Sequence, residues 1–249
     1  MSTSTASSKK VAIVTGASRG IGKAIALRLG RDGFAVTVNY SSNQAEAQAV
    51  AAEIEASGSK AVAIQADVSK TEDVAKLFDQ TEQAFGGVDV LVNNAGIMKI
   101  GTIADASDDI FDRTFAINVR GTFNTLKQAA RRIRAGGRII NFSTSSTPLS
   151  LPGYGIYCAS KAAVEVLGSI LAKELRGRQI TVNTVAPGPV GTELFFDGKT
   201  PEQVDRLAKL SPFERLGEPE DIARVIAFLA GPEGGWINGQ TIRANGGMV

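Results

Sequence analysis

Histidine is the most informative absence from this chain of 249 residues, because it does not occur at all. Cysteine occurs once, as Cys158. A single cysteine excludes a disulfide within the chain, and the lack of histidine excludes Cys/His zinc sites and Ser-His or Cys-His nucleophiles. We therefore expect no metal site, and proton transfer must use a group other than imidazole.

Charge of one sign is also scarce, since 27 basic residues nearly balance 25 acidic residues. The net charge of +2 creates no large field that would attract nucleic acid or an anionic membrane. No run reaches the roughly 18 apolar residues of a membrane span. We expect residues 1–10, which are rich in Ser and Thr, to be a disordered tail on a soluble, cytoplasmic protein without nucleic-acid or membrane partners.

What the chain does contain is an alternation of short apolar segments with helical stretches. Val- and Ile-rich segments predict strands at 11–14, 35–39, 61–66, 88–92, 138–142, 180–185 and 240–243. Helical patterns separate them, at 23–30, 44–56, 71–85, 108–133, 159–175 and 219–229. Because the strands are continuously apolar, both faces should be covered, and strand-helix alternation implies parallel pairing. The predicted fold is α/β, a doubly wound sheet in one domain.

A glycine-rich loop follows the first predicted strand, with Gly16, Gly20 and Gly22 in a G-x-x-x-G-x-G spacing. Glycines let backbone N–H groups approach a ligand closely, and the start of the next helix favours a phosphate. This loop, which also contains Ser18, Arg19 and Ile21, is a candidate cofactor site. Glycines also end strands for purely local reasons, so the loop alone is weak evidence.

The second predicted strand ends without an acidic residue, since Asn39, Tyr40 and Ser41 stand there and the first carboxylate is Glu46. An NAD site usually places an acidic residue on the ribose 2′-hydroxyl, whereas hydroxyls and a cation such as Arg19 would accept a 2′-phosphate. The sequence therefore predicts NADP(H) rather than NAD(H). Alternatively, Tyr40 and Ser41 only begin the next helix as turn and N-cap.

Two later strands are followed by further candidates at the ligand-binding edge of such a sheet. Asp67 and Val68 are expected to contact adenine, although Asp67 could instead cap the following helix. Small residues and amides after the fourth strand leave room for a ribose: Asn94, Ala95 and Gly96. Adjacent asparagines also form good turns.

Tyr157 and Lys161 lie four residues apart where an Ala-rich helix is predicted, so both project from one face. A nearby cation can lower a phenol pKa by about 1–3 units from its usual value of about 10, which would make Tyr157 a usable acid or base. On its own this spacing is also that of an ordinary amphipathic pair.

Asn118 lies in an apolar part of the predicted 108–133 helix. A buried amide must be hydrogen-bonded. It could bond to a neighbouring strand, or it could mark a break in the helix that holds a water near Lys161.

In this order and at these distances, the motifs resemble those of the short-chain dehydrogenase/reductase family. The motifs are Thr15-Gly16-(x)3-Gly20-Ile21-Gly22, Asn93-Asn94-Ala95-Gly96, Asn118, Tyr157-(x)3-Lys161 and Pro187-Gly188. The resemblance is closest to the carbonyl-reducing branch that includes 3-oxoacyl-carrier-protein reductases and trihydroxynaphthalene reductase. It implies a Rossmann-type, seven-stranded parallel sheet in the order 3-2-1-4-5-6-7 and a homotetramer.

The resemblance also implies a catalytic Asn, Ser, Tyr and Lys tetrad, of which Asn118, Tyr157 and Lys161 match. The serine position falls on Thr144, thirteen residues before Tyr157, with Ser143 and Ser145 on either side. A threonine hydroxyl can donate the same bond, but its methyl group and restricted χ1 narrow the geometry. We expect Thr144 to fill the role first and Ser145 second.

Residues 188–218 contain no predicted strand and are expected to form a mobile lid over the substrate. The resemblance implies that residues at its start touch the nicotinamide end, namely Pro187, Gly188, Val190 and Thr192. Phe195 and Phe196 suggest an apolar lining, unless the pair packs on the body of the domain. Tyr154 and Met98 are also expected to border the pocket.

The expected function is hydride transfer between NADPH and the carbonyl of a small, neutral ketone or aldehyde. Tyr157 would give its proton to the carbonyl oxygen, and Thr144 or Ser145 would hydrogen-bond that oxygen. Lys161 would lower the Tyr157 pKa and hold the nicotinamide ribose, and Asn118 would help to restore the proton. The alternatives are a sugar or steroid alcohol dehydrogenase working oxidatively and a non-catalytic NADP-binding regulator.

Overall fold

A computed structural model describes residues 9–249 of the chain as one sheet of seven parallel strands with helices on both faces. The strand order is β3-β2-β1-β4-β5-β6-β7, which confirms the predicted doubly wound α/β fold. The strands are β1 (Val11–Val14), β2 (Ala35–Tyr40), β3 (Ala61–Gln65), β4 (Val88–Asn93), β5 (Ile133–Phe142), β6 (Thr181–Pro187) and β7 (Thr241–Ala244).

Ten α-helices connect or follow these strands within the described residues. They are α1 (Gly20–Arg31), α2 (Gln44–Ala56), α3 (Thr71–Phe85), α4 (Asp108–Phe115), α5 (Gly121–Arg132), α6 (Ser146–Leu149), α7 (Gly155–Glu174), α8 (Glu193–Phe196), α9 (Pro201–Ala208) and α10 (Pro219–Ala230). A π-helical turn, Ala116–Arg120, lies between α4 and α5, and a 3-10 turn, Glu233–Trp236, precedes β7.

The two faces of the sheet carry separate apolar cores. Along β1 the side chains alternate, so that Val14 joins one core and Ile13 joins the other. Leu29 of α1 and Ile226 of α10 pack in the first core, and Phe78 of α3 packs in the second. Because both faces are covered, the strands are apolar throughout rather than alternating.

The order of the strands places the ligand-binding edge. The chain builds β1, β2 and β3 outward in one direction and then returns to place β4 on the other side of β1. This reversal opens a crevice at the carboxyl ends of β1 and β4, which is where doubly wound sheets bind ligands.

The predicted helix over 108–133 is not continuous. The π-helical turn interrupts it at Ala116–Arg120, and β5 already begins at Ile133. A helix pattern cannot reveal the break, because the residues around it keep helical spacing.

Between Val88 and Val90 of β4 the pairing with β5 shifts, and Gly137 allows this because a Cβ there would lie 2.7 Å from the Asp89 carbonyl oxygen.

Two further differences from the sequence prediction concern the start of α7 and the predicted tail. Helix α7 begins at Gly155 rather than at 159, so Tyr157 and Lys161 both lie inside it. Lys10 joins the domain, since its carbonyl oxygen accepts a hydrogen bond of 2.8 Å from the Ala35 N–H. Residues 1–8 of the predicted tail lie outside the described residues.

Helix α7 is also long and apolar enough, by length and composition alone, to pass as a membrane span. Its place in the fold gives another reason for this composition, because Val164 and Leu171 are buried and Leu171 packs in the core on one face of the sheet. Among the described residues, no three side chains that could hold a metal ion come together.

Candidate active site

An open cleft of about 890 Å³ lies at the carboxyl edge of the sheet. Its walls come from the residues that follow β4 and β5, from the start of α7 and from the long segment that follows β6. Ten of the predicted site residues line it, namely Ile21, Asn94, Gly96, Thr144, Tyr157, Lys161, Pro187, Gly188, Val190 and Thr192. Tyr154 and Met98 also line it, as the sequence predicted.

The glycine-rich loop is folded tightly around Asn94. The Asn94 Nδ2 donates to the carbonyl oxygens of Thr15 and Gly16, at 2.9 and 3.0 Å. A Cβ on Gly22 would lie 2.3 Å from the Gly16 oxygen, so no side chain fits there. Gly16 and Gly20 adopt positive φ angles of 61° and 55°. This compact loop brings backbone and the N-terminus of α1 to the surface together, which suits a pyrophosphate.

The side chains of Asn39 and Tyr40 point into the protein, so the structure does not support the predicted contact between these side chains and a cofactor. The Asn39 amide is used inside the protein, since Nδ2 donates to Ala66 O at 3.1 Å and Oδ1 accepts from Gly16 N at 3.3 Å. Tyr40 is buried in the core that contains α1 and α2. Strand β2 is covered on both faces, so its last side chains turn into the protein. Asn39 holds the glycine-rich loop in place through the hydrogen bond that its Oδ1 accepts from Gly16 N.

Arg19 and Ser41 are the exposed residues of the predicted phosphate site, and Ser18 lies beside Arg19 in the loop. The Arg19 Nη1 lies 2.8 Å from Glu193 Oε2, at the start of α8. A surface ion pair of this kind contributes only about 0–1 kcal/mol, so a phosphate can compete with Glu193 for the guanidinium.

Asp67 and Val68 follow β3 at the same edge. Asp67 Oδ1 accepts hydrogen bonds from the Ser69 N–H and hydroxyl, at 3.0 and 2.7 Å, which makes a turn rather than the alternative cap on α3. Val68 is buried and packs against Gly121, where a Cβ would lie 2.7 Å from Val68 Cγ2. Most of the Val68 side chain therefore belongs to the core rather than to an adenine surface.

Asn118 is buried in the π-helical turn and ties three elements together. Its Oδ1 accepts from Ile97 N at 2.9 Å, and its Nδ2 donates to Ile97 O and Ser160 Oγ, both at 3.0 Å. The helix breaks at this turn and the amide bonds to the segment after β4, while the water that the sequence analysis placed near Lys161 stays a prediction. A Cβ on Gly96 would lie 3.2 Å from Asn118 Oδ1 and 3.3 Å from Lys161 Nζ, which shows how close these groups lie.

Lys161 and Tyr157 meet as predicted, but their ionisation differs from the prediction. The Lys161 Nζ lies 5.9 Å from the centre of the Tyr157 ring and donates to Phe142 O at 3.0 Å. Burial raises the pKa of Tyr157 to about 12 and lowers the pKa of Lys161 to about 8. Desolvation disfavours both charged forms. Burial therefore opposes the predicted lowering of the phenol pKa, and the role of Tyr157 as an acid or base stays a prediction.

Thr144 rather than Ser145 faces the cleft. Strand β5 ends at Phe142, so strand alternation no longer decides the directions of the next side chains. Thr144 lines the cleft, and its hydroxyl is near enough to the Tyr157 phenol to oppose partly the rise in the phenol pKa. The Ser145 hydroxyl donates to Ala186 O at 2.9 Å and does not line the cleft, so the structure does not support the second choice.

The predicted lid contains two short helices, α8 and α9. A bridge between Val190 and Gly217 closes its base, and the Thr192 side chain caps α8 by accepting from Phe195 N at 3.3 Å. Phe195 lines the cleft, whereas Phe196 does not and is 47% exposed. The apolar lining expected of the phenylalanine pair is thus provided by one of them.

Some cleft residues were not predicted from the sequence. Leu151, Leu194, Leu207 and Met248 all line the cleft. The only signal near Met248 is the Gly246-Gly247 pair, which indicates a turn but not its direction. No carboxylate and no arginine lines the cleft among the described residues, and Lys161 is its one cation.

Comparison with known proteins agrees with this geometry. A family model described as enoyl-(acyl carrier protein) reductase matches residues 16–249. The chain is 50% identical over 250 residues to a short-chain type dehydrogenase/reductase of Picea abies, covering 96% of this chain and 92% of that protein. It is 50% identical over 254 residues to a chloroplastic NADPH-dependent aldehyde reductase-like protein of Arabidopsis thaliana, covering 96% and 94%.

A solved structure of a short chain dehydrogenase from Burkholderia cenocepacia J2315 in complex with NADP superimposes with a TM-score of 0.91 at 40% identity, over 96% of this chain and 97% of that one. The shared fold extends over nearly the whole of both chains. With a family model that covers most of the sequence and relatives at 50% identity, the chain belongs to the short-chain dehydrogenase/reductase family.

Proposed function

We propose that this chain is an NADP(H)-dependent carbonyl reductase that acts on small, neutral ketones or aldehydes. The observation that carries the proposal is the placement of the Tyr157 phenol with Thr144 and Lys161 in a cleft whose walls, among the described residues, carry no acidic group. Bound NADPH supplies the hydride that the carbonyl carbon receives. The glycine-rich loop would hold its pyrophosphate, and the Pro187–Thr192 segment would hold its nicotinamide end.

Tyr157 acts as the general acid in this proposal. Its phenol gives a proton to the carbonyl oxygen as the alcohol forms, and the Thr144 hydroxyl hydrogen-bonds the same oxygen and positions it. The Lys161 ammonium then stabilises the phenolate electrostatically, at a distance of 5.9 Å from ring centre to Nζ. Asn118 holds the segment beside Lys161 and keeps that cation close to the phenol.

Carbonyl reduction is placed ahead of a sugar or steroid dehydrogenase because the chain resembles an NADPH-dependent aldehyde reductase-like protein. The direction of the reaction itself depends on the equilibrium between the substrates and on the ratio of NADPH to NADP⁺.

The composition of the cleft supports the substrate class. Apolar side chains from three parts of the chain contribute to its walls, including Met98, Leu207 and Met248. Among the described residues, no arginine and no lysine other than the buried Lys161, which donates to Phe142 O, lines the cleft to bind a carboxylate substrate. The resemblance to an NADPH-dependent aldehyde reductase-like protein agrees with a neutral carbonyl substrate.

The expected result of a direct assay is loss of NADPH absorbance with ketones and aldehydes and a slower loss with NADH. The cofactor preference follows from Arg19 and from the absence of a carboxylate between Asn39 and Glu46. An α,β-unsaturated ketone should be included, because carbonyl reduction gives an allylic alcohol and alkene reduction gives a saturated ketone. Saturated ketone as the sole product would contradict the proposal, as would equal or faster rates with NADH.

The dependence on pH is a second expected result. Lys161 is cationic below its pKa of about 8 and neutral above it, so kcat/KM for NADPH should fall above about pH 8. Tyr157, with a pKa of about 12, should not titrate between pH 6 and 8, so the profile should be flat up to about pH 7 and should fall to half near pH 8 through Lys161 alone. A reduction rate that rises with pH in this interval would contradict the assignment, because it would require the phenolate. In Lys161→Arg the fall should disappear, since arginine stays protonated.

Homotetrameric assembly and a cytoplasmic location stay predictions. Exposed apolar side chains on α4, α5 and α7 support self-association, since Phe111 and Phe123 are 46% exposed and Val166 is 57% exposed. Light scattering during gel filtration would measure the mass, and a monomer at micromolar concentration would contradict assembly.

A further inference from the structure

We infer that Met248 determines substrate specificity in the cleft and that Asn245 is the residue that positions it. The inference rests on the proposed carbonyl reductase function and adds the part of the substrate that this site selects. Both residues belong to the segment Asn245–Val249, which directly follows β7 and is called the post-β7 segment here. Met248 lines the cleft, although it lies far from Tyr157 in the sequence.

Asn245 folds the post-β7 segment back on itself. Its Oδ1 accepts hydrogen bonds from Gly247 N at 3.0 Å and from Met248 N at 3.2 Å. Gly246 and Gly247 between them have φ angles of 66° and 87°, which glycine adopts without strain. One side-chain oxygen therefore holds the turn that directs Met248 to the cleft.

The other end of the same amide reaches the wall that carries Thr144. The Asn245 Nδ2 donates to Ser145 Oγ at 3.0 Å, and that hydroxyl donates to Ala186 O at 2.9 Å. The Ser145 N–H also donates to Pro187 O at 2.9 Å. Ser145, which does not face the cleft, thus links the ends of β5, β6 and β7, and Asn245 couples Met248 to the neighbour of Thr144.

Packing on either side fixes the post-β7 segment in place. A Cβ on Gly188 would lie 2.9 Å from Asn245 Cβ, so the absence of a side chain at Gly188 is what lets Asn245 approach. On the other side, the Ser211 hydroxyl donates to Gly246 O at 2.9 Å, which attaches the segment to the end of the lid. Met248 is therefore held on a defined part of the wall rather than on a free chain end.

The chemistry of Met248 indicates what it recognises. A methionine side chain is apolar, polarisable and adaptable, and sulfur contacts aromatic rings favourably. The cleft surface near the lid is also apolar, through Phe195 and Leu207. We assign the apolar part of the cleft that contains Met248, Phe195 and Leu207 to an aryl or similarly extended apolar substituent of the carbonyl substrate. A short aliphatic aldehyde has no such substituent.

The test compares propiophenone with propanal in the full-length protein and four variants. Met248→Ala should lower kcat/KM for propiophenone roughly tenfold, mainly through KM, because about two buried methylene groups of contact are lost. Propanal should change less than about twofold. Val249→Ala is the matched control, because Val249 is the next residue, is 45% exposed and does not line the cleft. Equal propiophenone-to-propanal ratios in Met248→Ala and Val249→Ala would overturn the assignment of Met248.

Asn245→Ala should shift the ratio as Met248→Ala does and should also lower kcat for both substrates, because Thr144 loses support. Asn245→Asp should restore the ratio to within about threefold of the original protein, since a carboxylate oxygen accepts from Gly247 N and Met248 N in the same way. A merely structural role would lower the melting temperature without changing the ratio, and that result would overturn the positioning role. If Asn245→Ala does not fold, the ratio for Asn245→Gln, whose longer side chain displaces the turn, decides the same point.

Failure of the inference and failure of the proposed function give different results. If the original protein oxidises NADPH with neither substrate nor with any other carbonyl, the proposed function is wrong and the inference falls with it. If the original protein is active but all variants keep its substrate ratio, only the inference is wrong. NADPH affinity, measured by its fluorescence, should stay within about twofold in Met248→Ala and Val249→Ala, because neither side chain belongs to the glycine-rich loop or to the Pro187–Thr192 segment.

Discussion

Replacing Tyr157 with phenylalanine should lower kcat for carbonyl reduction by at least about 10²-fold, and by up to about 10⁴-fold, the usual range for a positioned general acid. The ring remains, so the packing of α7 and the contact between Lys161 Nζ and the ring face are kept. What is lost is the proton that the phenol carries at neutral pH. Steady-state rates with a ketone, together with NADPH affinity from fluorescence, measure the two effects separately, and the affinity should change little.

Tyr154→Phe is the matched control for this prediction. Tyr154 also lines the cleft and its pKa is also raised, chiefly by burial, so the control removes a hydroxyl from the same cleft without touching Thr144. We expect less than about a tenfold change in kcat there. Similar losses in both variants would mean that kcat depends on the general polarity of the cleft rather than on the Tyr157 hydroxyl. Normal turnover by Tyr157→Phe would show that Tyr157 is not the general acid.

The second large effect is expected at Gly22, where a methyl group has no space. In Gly22→Ala the new Cβ would lie 2.3 Å from the Gly16 carbonyl oxygen and 2.5 Å from Asn94 Nδ2, and the backbone oxygen cannot move without opening the loop. Overpacking of this kind typically costs about 1–3 kcal/mol of folding free energy. Because the same loop would cradle the pyrophosphate, NADPH affinity should fall by roughly tenfold or more, which corresponds to about 1.4 kcal/mol.

Gly101→Ala provides the control for the glycine prediction. Nothing lies within 4 Å of a Cβ at Gly101, and its φ angle is not in the positive range. Its free energy of unfolding in urea and its NADPH affinity should therefore stay within about 0.5 kcal/mol of the original protein. Equal behaviour of Gly22→Ala and Gly101→Ala would show that the loop rearranges easily and that its tight packing has no role in binding.

Local patterns in the sequence predicted a large part of the architecture. Strand positions followed from continuous runs such as Val11–Val14, because strands buried on both faces must be apolar throughout. The shared helix face of Tyr157 and Lys161 followed from a spacing of four residues. These properties depend on neighbours along the chain, so no tertiary information is needed to derive them.

Other properties of the site depended on packing that no local pattern records. The prediction for the Tyr157 pKa considered proximity to Lys161 and not desolvation, although burial raises this pKa. Asn39 and Tyr40 were assigned to the cofactor because they end a strand, yet the covering of β2 turned both side chains inward. In each case the deciding quantity was how much protein surrounds the group.

By itself, the sequence determined the strand and helix alternation, the glycine-rich loop and the pairing of a phenol with an ammonium on one turn of helix. Only the tertiary structure decided that Thr144 rather than Ser145 faces the cleft, that burial raises the phenol pKa, and that Asn245 joins Ser145 across 100 residues of sequence. The physical reason is that helix and strand periodicity are local, whereas burial and hydrogen bonding between distant segments exist only after the chain has packed.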